Sequence, residues 1–439
     1  MQYDMIGTTS TRRNGGTVFL LFLIGLFSQT QISVGGKLGI SELVMVVCAP
    51  FVFLKNITLF KRDGSLCYFW LIILWLLGAL FVDFYTENYI PFMMKGIAVP
   101  ITVFANSACI YVLLRKNFDN LKWLLLGIAI SGVVSIFIFQ RGTAGDLADS
   151  LGMEAGIERV TGYKLFWVTQ LTTWLTLPIS GWYQKVPKTY SIPAILFLSA
   201  FNLASGGRSA FLVMAVSLLL ITFAGKTREA LKFIKKHIVF MLVLLCLMGV
   251  VAKMTYQFAA KQGLMGDAEE IKYEHDTEQG SSALQLLMSS RGGTFVGLWA
   301  ALDKPILGHG SVALDTHGYV LDFSSKYGTL EAYKQIEETR RQFGARVIPA
   351  HSHIINFWMW HGIFGLVFWL YVIVMTSKTL FSRMHIYPPW FGYLAVTIPA
   401  FFWDVLFSPL GLRVNAATLF VVMLLVAKLN RDQHRMPVP

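Results

Sequence analysis

The sequence predicts an all-α, polytopic membrane protein with about twelve transmembrane helices and a helical loop outside the membrane. Three observations predict it. Of the 439 residues, 55% are hydrophobic and only 14% charged, and the mean hydropathy is +0.57, too apolar for a water-soluble chain of this size. Apolar runs long enough to cross roughly 30 Å of hydrocarbon recur along the chain. Lys and Arg gather in alternate connections instead of spreading evenly.

Residues 1–252 are expected to form an N-terminal transmembrane bundle, with spans near 17–34, 38–54, 67–83, 90–114, 121–140, 164–183, 190–205, 209–224 and 236–252. The two runs flanking Arg208 could equally be one broken span. Residues 253–350 form a long connection, and 351–439 hold further spans near 353–375, 390–407 and 413–428. That connection is long enough for a small folded cap. Within it Leu284, Leu287, Phe295, Leu298, Trp299 and Leu302 recur at roughly helical spacing, until Lys304-Pro305-Ile306-Leu307-Gly308-His309-Gly310 breaks the run. A second, polar helix is expected near 328–342.

Short loops rich in Lys and Arg stay in the cytoplasm, and this orients the bundle. With the N-terminus inside, the cytoplasmic connections hold Lys55, Lys61, Arg62, Arg115, Lys116 and Lys122, then the cluster from Lys226 to Lys236. The short outward loops hold few basic residues, among them Lys37, Arg141 and Arg159. Both termini are therefore expected in the cytoplasm and the long connection outside. The formal charge of +12 then follows from topology and anionic membrane lipid, with no nucleic acid partner. The first span lacks a small-residue cleavage site and reads as an anchor. Cys48, Cys67, Cys109 and Cys246 all fall in expected spans, so the cysteines suggest neither a disulfide framework nor a metal site.

On this topology three basic or titratable groups share the outer face. Arg208 ends the seventh span, Arg291 lies in Ser289-Ser290-Arg291-Gly292-Gly293 of the long connection, and His351 opens the tenth span in Pro349-Ala350-His351-Ser352-His353. Guanidinium groups fork onto phosphate oxygens, and an imidazole can take a proton from a hydroxyl near neutral pH. Each residue has a plainer reading beside that one. Arg208 could be a snorkelling boundary residue, although the small residues Ser205-Gly206-Gly207 before it suit an anion cradle. Arg291 could be a solvated loop charge.

His351-x-His353 has a zinc-like spacing, yet no acidic or cysteine partner sits nearby, so no metal is expected. His353 and His361 read as packing or supporting residues. Ser352 is a candidate helix cap, which would put His351 at a helix N-terminus where the dipole favours neutral imidazole. Glu42, Lys95 and Asp404 are charges inside expected spans, the kind a transporter would use. They do not form matching broken-helix motifs in two halves.

The run His351-Ser352, followed after nine residues by Gly362 and then Gly365, resembles the signature of the O-antigen ligase and O-antigen polymerase superfamily. Ser205 to Arg208 is similar to its arginine motif at the outer end of a span. Arg291 with Trp299, Pro305 and Gly308-His309-Gly310 is similar to its loop pattern. The likeness covers roughly residues 190–370. Ile354 and Trp360 depart from it, standing where that family often has Asn and an acidic residue.

The resemblance implies a GT-C-like, metal-independent, inverting glycosyltransferase without cofactor, multi-pass in a bacterial inner membrane and working on the periplasmic face. Its donor would be an oligosaccharide on undecaprenyl diphosphate, and its acceptor a sugar hydroxyl on a second lipid-linked glycan or on lipid A core. Membrane lipids and a chain-length regulator are further partners it allows. His351 would activate the acceptor, Arg208 and Arg291 would hold the diphosphate, and Ser352, His353, Gly362 and His309 would support them. Polymerisation for O-antigen or exopolysaccharide is favoured over ligation. A transporter or flippase of lipid-linked polysaccharide is the reading from another class.

Overall fold

The computed structural model describes residues 15–28, 30–33, 37–115, 117–137, 188–204, 208–222, 258, 292–327, 337, 341, 347–350, 352–378 and 391–407. It is built from helices. In the N-terminal part these are α1 (Gly15–Leu26), α2 (Ile40–Lys55), α3 (Ile57–Asp63), α4 (Leu66–Tyr85), α5 (Ile90–Arg115) and α6 (Leu121–Phe137). Then come α7 (Lys188–Ala204), α8 (Arg208–Thr222), α9 (Gly292–Asp303), α10 (Tyr319–Tyr327), α11 (His353–Lys378) and α12 (Phe391–Phe407). The expected spans near 164–183, 236–252 and 413–428 lie outside the described residues, as does nearly all of the polar helix expected near 328–342.

Among the described residues three helices are long and apolar enough to cross a membrane by length and composition: α4, α5 and α11, the last only if its two arms, which a break at Gly362 separates, are counted as one. A fourth span is possible if α2 and α3, bent by 72° at Asn56, count as one. The membrane-facing surface is legible in the packing. On α4, Trp70, Leu74, Leu77, Phe81 and Phe84 are exposed, while Phe69, Ile72, Trp75, Ala79 and Val82 are buried. Both sets keep helical spacing, so α4 shows an apolar face outward as well as inward, as a helix between protein and lipid must.

The beginning of the chain differs from the expected span at 17–34. Helix α1 stops at Leu26, and Ser28 Oγ donates to the Gly25 carbonyl at 2.7 Å. Two strands, β1 (Gln31–Ser33) and β2 (Lys37–Gly39), then pair antiparallel. Gly39 N–H donates to Glu42 Oε2 at 2.9 Å, so Glu42 satisfies a free donor at the start of α2. Glycine also brings α1 close to α6, because a Cβ on Gly25 would lie 2.8 Å from Ile128 N.

The two ends of the α4–α5 pair are pinned differently. At one end Asp63, closing α3, accepts from Arg115 Nε at 2.9 Å and from Tyr111 Oη at 2.8 Å. Gly64 turns the chain there with φ +69°, a conformation suited to glycine. The α3 and α5 termini therefore share one end of the bundle, as the basic loops predict. At the other end α4 and α5 meet the long connection. Breaking a buried ion pair strands its partner, so Arg115→Met is expected to lower unfolding stability in detergent by about 3 kcal/mol. Arg115→Lys should retain part of it, and calibrated denaturation of the three proteins checks this.

Candidate functional site

Helix α11 does not run straight. Gly362 has φ +59° and ψ −142°, a region open essentially to glycine alone. Along a continuous helix Trp369 would stand roughly 24 Å from His353, yet their ring centroids are 5.5 Å apart. Phe357 likewise stacks on Trp369 at 5.9 Å. The chain thus doubles back at Gly362 into a first arm, His353–His361, and a second arm, Ile363–Lys378. The span expected at 353–375 is corrected to a hairpin, because both arms are apolar and hydropathy cannot see the reversal. Gly365 lets the arms close, since a Cβ there would run into the Phe357 carbonyl.

The break frees backbone groups, and the long connection takes them up. His309 N–H donates to the Met359 carbonyl at 2.7 Å, Gly310 N–H to Trp360 at 3.0 Å, and Ile363 N–H to Ile306 at 2.9 Å. Trp358 Nε1 donates to the Pro305 carbonyl at 3.0 Å. The turn that ends α9 is therefore plugged into the α11 hairpin. Gly308, with φ +78°, has no room for a side chain, because its Cβ would lie 2.7 Å from Gly362 N and from two carbonyl oxygens.

Next to the plug lies a buried polar set of which the sequence pointed only to His361, as a packing or supporting residue. Asp83, near the end of α4, accepts from Ser311 N–H and Ser311 Oγ, each at 2.6 Å, and from Asn88 Nδ2 at 2.9 Å. Ser311 Oγ is also 2.9 Å from His361 Nε2. Trp75 Nε1 donates to His361 Nδ1 at 2.9 Å. An indole N–H only donates, so Nδ1 is bare and His361 is neutral with its proton on Nε2. Protons then point from His361 to Ser311 and from Ser311 to Asp83. That polarity opposes a nucleophilic triad, in which histidine receives the serine proton. The set is a clamp between α4, the docked turn and the hairpin tip. Gly96 on α5 makes room for Ser311 Oγ. Asp83 and Asn88 stand at and just beyond the end of the span expected near 67–83, where polar residues are ordinary and carry no signal of their own.

Of the sequence-predicted site residues, Arg291 and His351 lie outside the described residues. Arg208 is the first residue of α8. Ser352 is buried, and its Oγ donates to the Val405 carbonyl of α12 at 3.0 Å while accepting from Ile355 N–H at 3.4 Å, as a helix cap does. His353 is buried against Trp369. Gly362 and His309 belong to the hairpin and its plug. The chain just before His351 is also held. Ile348 N–H donates to the Ala313 carbonyl at 2.8 Å, and a Cβ on Gly297 of α9 would lie 3.1 Å from Ala350 Cβ. Helix α8 packs on α12. Of the charges expected within spans, Glu42 is the α2 cap described above, while Lys95 and Asp404 are exposed.

His309 is part-buried, with Nε2 2.8 Å from the Ala300 carbonyl, which makes Nε2 the donor. Burial holds its pKa below the ordinary value. Beside it the Tyr319 hydroxyl donates to Asp303 Oδ2 at 2.7 Å. That bond lowers the Asp303 pKa, and burial raises that of Tyr319.

Two outcomes are expected. Gly362→Ala and Gly308→Ala should each cost about 3 kcal/mol or more through strain and collision, with Gly15→Ala, which has open space around it, as the neutral control in the same thermal assay. Because the folded His309 pKa is depressed, the unfolded chain binds its proton first as pH falls. His309 thus stabilises fully above its ordinary 6.5 and loses that contribution as pH drops through the folded value. His309→Gln, which can still donate to Ala300, should flatten the fall in melting temperature between about pH 7.5 and pH 5.

Residues 193–370 match the model of the O-antigen ligase family. The match begins within α7, takes in the docked turn and the first arm, and ends at Leu370, one residue beyond the Trp369 that both arms share. No curated protein matches the chain. Over residues 193–370, about two fifths of its length, this membrane-embedded chain is similar to the O-antigen ligase family.

Proposed function

We propose that the protein is an inner-membrane glycosyltransferase that moves a glycan from undecaprenyl diphosphate to a sugar hydroxyl on the periplasmic face, with polymerisation of repeat units as its reaction. His351 takes the hydroxyl proton as the acceptor oxygen bonds to the anomeric carbon. The carbon–oxygen bond to the diphosphate breaks, and the lipid diphosphate leaves with the electron pair. Attack opposite the leaving group inverts the anomeric centre. Arg208 and Arg291 bind the diphosphate and stabilise the charge that develops on it, without a metal ion.

The observation that supports this reading best is how the neighbours of His351 are held. Ala350 packs on α9, the helix that begins one residue after Arg291, and Ser352 is bonded to α12, on which the Arg208 helix packs. A transfer site needs its base and its phosphate-binding groups held in one geometry. In the second reading the acceptor is lipid A core and the enzyme a ligase, and the family match fits either reaction.

The test is the surface-glycan profile of a strain lacking the gene, complemented with wild type, His351→Ala, Arg208→Lys or Arg291→Lys. The expected result is loss of long chains in all three variants, with core carrying a single repeat retained, since Lys keeps the charge and loses the fork. Loss of every capped band, with lipid-linked polymer accumulating, would establish the ligase instead. Normal glycans from all three variants would rule out the catalytic assignment and favour transport.

A further inference from the structure

The last turn of α9 and the docked turn after it carry apolar side chains on their outside. Leu302 is 56% exposed and Ile306 66%, a costly arrangement for a loop in water, where turns are polar. The Ile306 carbonyl is bonded to Ile363 N–H, which places Ile306 beside the first residue of the second arm. That arm shows an exposed stripe of Ile363, Val367, Leu370 and Val374, one helix face, which is the face a membrane span turns to hydrocarbon. The turn continues this surface.

A second observation sets its level. Asn88 Nδ2 donates to the Ser311 carbonyl at 2.7 Å, tying the turn to the link between α4 and α5. There Tyr85 is 67% and Tyr89 65% exposed. Exposed tyrosines at the end of a span mark the interface between hydrocarbon and headgroups. Lys304, exposed between Leu302 and Ile306 in sequence, can keep its ammonium among lipid phosphates while its stem lies along apolar surface.

We infer that the Leu302–Ile306 turn is seated in the interfacial layer of the bilayer, at the Tyr85 and Tyr89 end of the bundle, with Leu302 and Ile306 against phospholipid acyl chains. The long connection is then a loop with one edge in lipid, and its anchorage does not depend on which transfer reaction the protein performs. A polar substitute at Ile306 would interrupt a surface that runs unbroken onto the second arm.

The test uses the full chain with Cys48, Cys67, Cys109 and Cys246 replaced, carrying Ile306→Cys, Val367→Cys or His317→Cys labelled with an environment-sensitive fluorophore. Each is reconstituted in vesicles of phosphatidylethanolamine and phosphatidylglycerol. At 306 a blue-shifted emission, quenched by nitroxide on the acyl chains as at 367 and untouched by aqueous iodide, is expected. Emission at 306 that iodide quenches as it does at 317, and that nitroxide lipid leaves alone, would overturn the inference. The unmodified chain gives an independent reading. A diazirine-bearing phospholipid should label the peptide holding Leu302 and Ile306 along with the second arm, and labelling of the second arm alone would count against lipid contact.

Discussion

With φ +59° and ψ −142°, Gly362 reverses a helix that hydropathy would carry straight across the membrane. Reversal leaves carbonyls without their usual partners four residues on, and inside a membrane protein no bulk water is at hand to satisfy them. The Pro305–Gly310 turn supplies the missing donors through His309 and Gly310, while Ile306 accepts from Ile363. The dependence runs both ways. Without the break these turn amides would have no acceptors, and without the turn the broken helix would hold orphaned carbonyls. The long connection and the hairpin therefore form one folding unit, although some fifty residues of sequence, roughly, separate their contact points.

The same logic explains the buried carboxylates at the two ends of the α4–α5 pair. An unpaired carboxylate in such a place would cost several kcal/mol. Asp63 answers with a guanidinium and a phenol. Asp83 is 0% exposed and is met by neutral donors from Ser311 and Asn88. Hydrogen bonds to a charged group are worth about 1.5–3 kcal/mol each, enough to hold the turn in place. Trp75 fixes the other side of the clamp by forcing His361 into a single tautomer. Asp83, Asn88 and Trp75 all precede the stretch that matches the ligase family. The N-terminal bundle thus helps hold the docked turn and the hairpin tip, both of which lie in the stretch that the family model matches.

Much of this was legible beforehand. Hydropathy marked the helical class, the side-sorted basic loops agree with the Asp63–Arg115 contact, and the Ser352 cap and the glycine-rich turn were visible as local chemistry. The residues quoted for the superfamily fall within the stretch that its model matches. The hairpin was not legible, because Gly362 and Gly365 in an apolar run read equally well as close-packing residues of a straight span. Only the sign of φ separates the two. Asp83 was missed for a related reason: a polar residue at the last turn of a span is ordinary, and its partner Ser311 lies 228 positions away. The strands at Gln31–Ser33 and Lys37–Gly39 were hidden by an apolar run that carried past Leu26.

The folded-back arm changes where the Pro349–His353 segment stands. In a straight span this polar segment would open directly onto the aqueous face. Instead His353 lies against Trp369, about 10 Å along the second arm from the hairpin tip, and Ser352 and His353 are buried. On the proposed chemistry this matters, because an activated glycan diphosphate is as open to attack by water as by a sugar hydroxyl. A base at an aqueous mouth would favour hydrolysis by the sheer concentration of water. On that proposal a base next in sequence to the buried Ser352 would meet fewer waters, and fixed donors act more strongly on developing charge where the dielectric is low. On the same proposal the hairpin would favour transfer over hydrolysis, and it rests on a glycine whose conformation no other residue adopts cheaply.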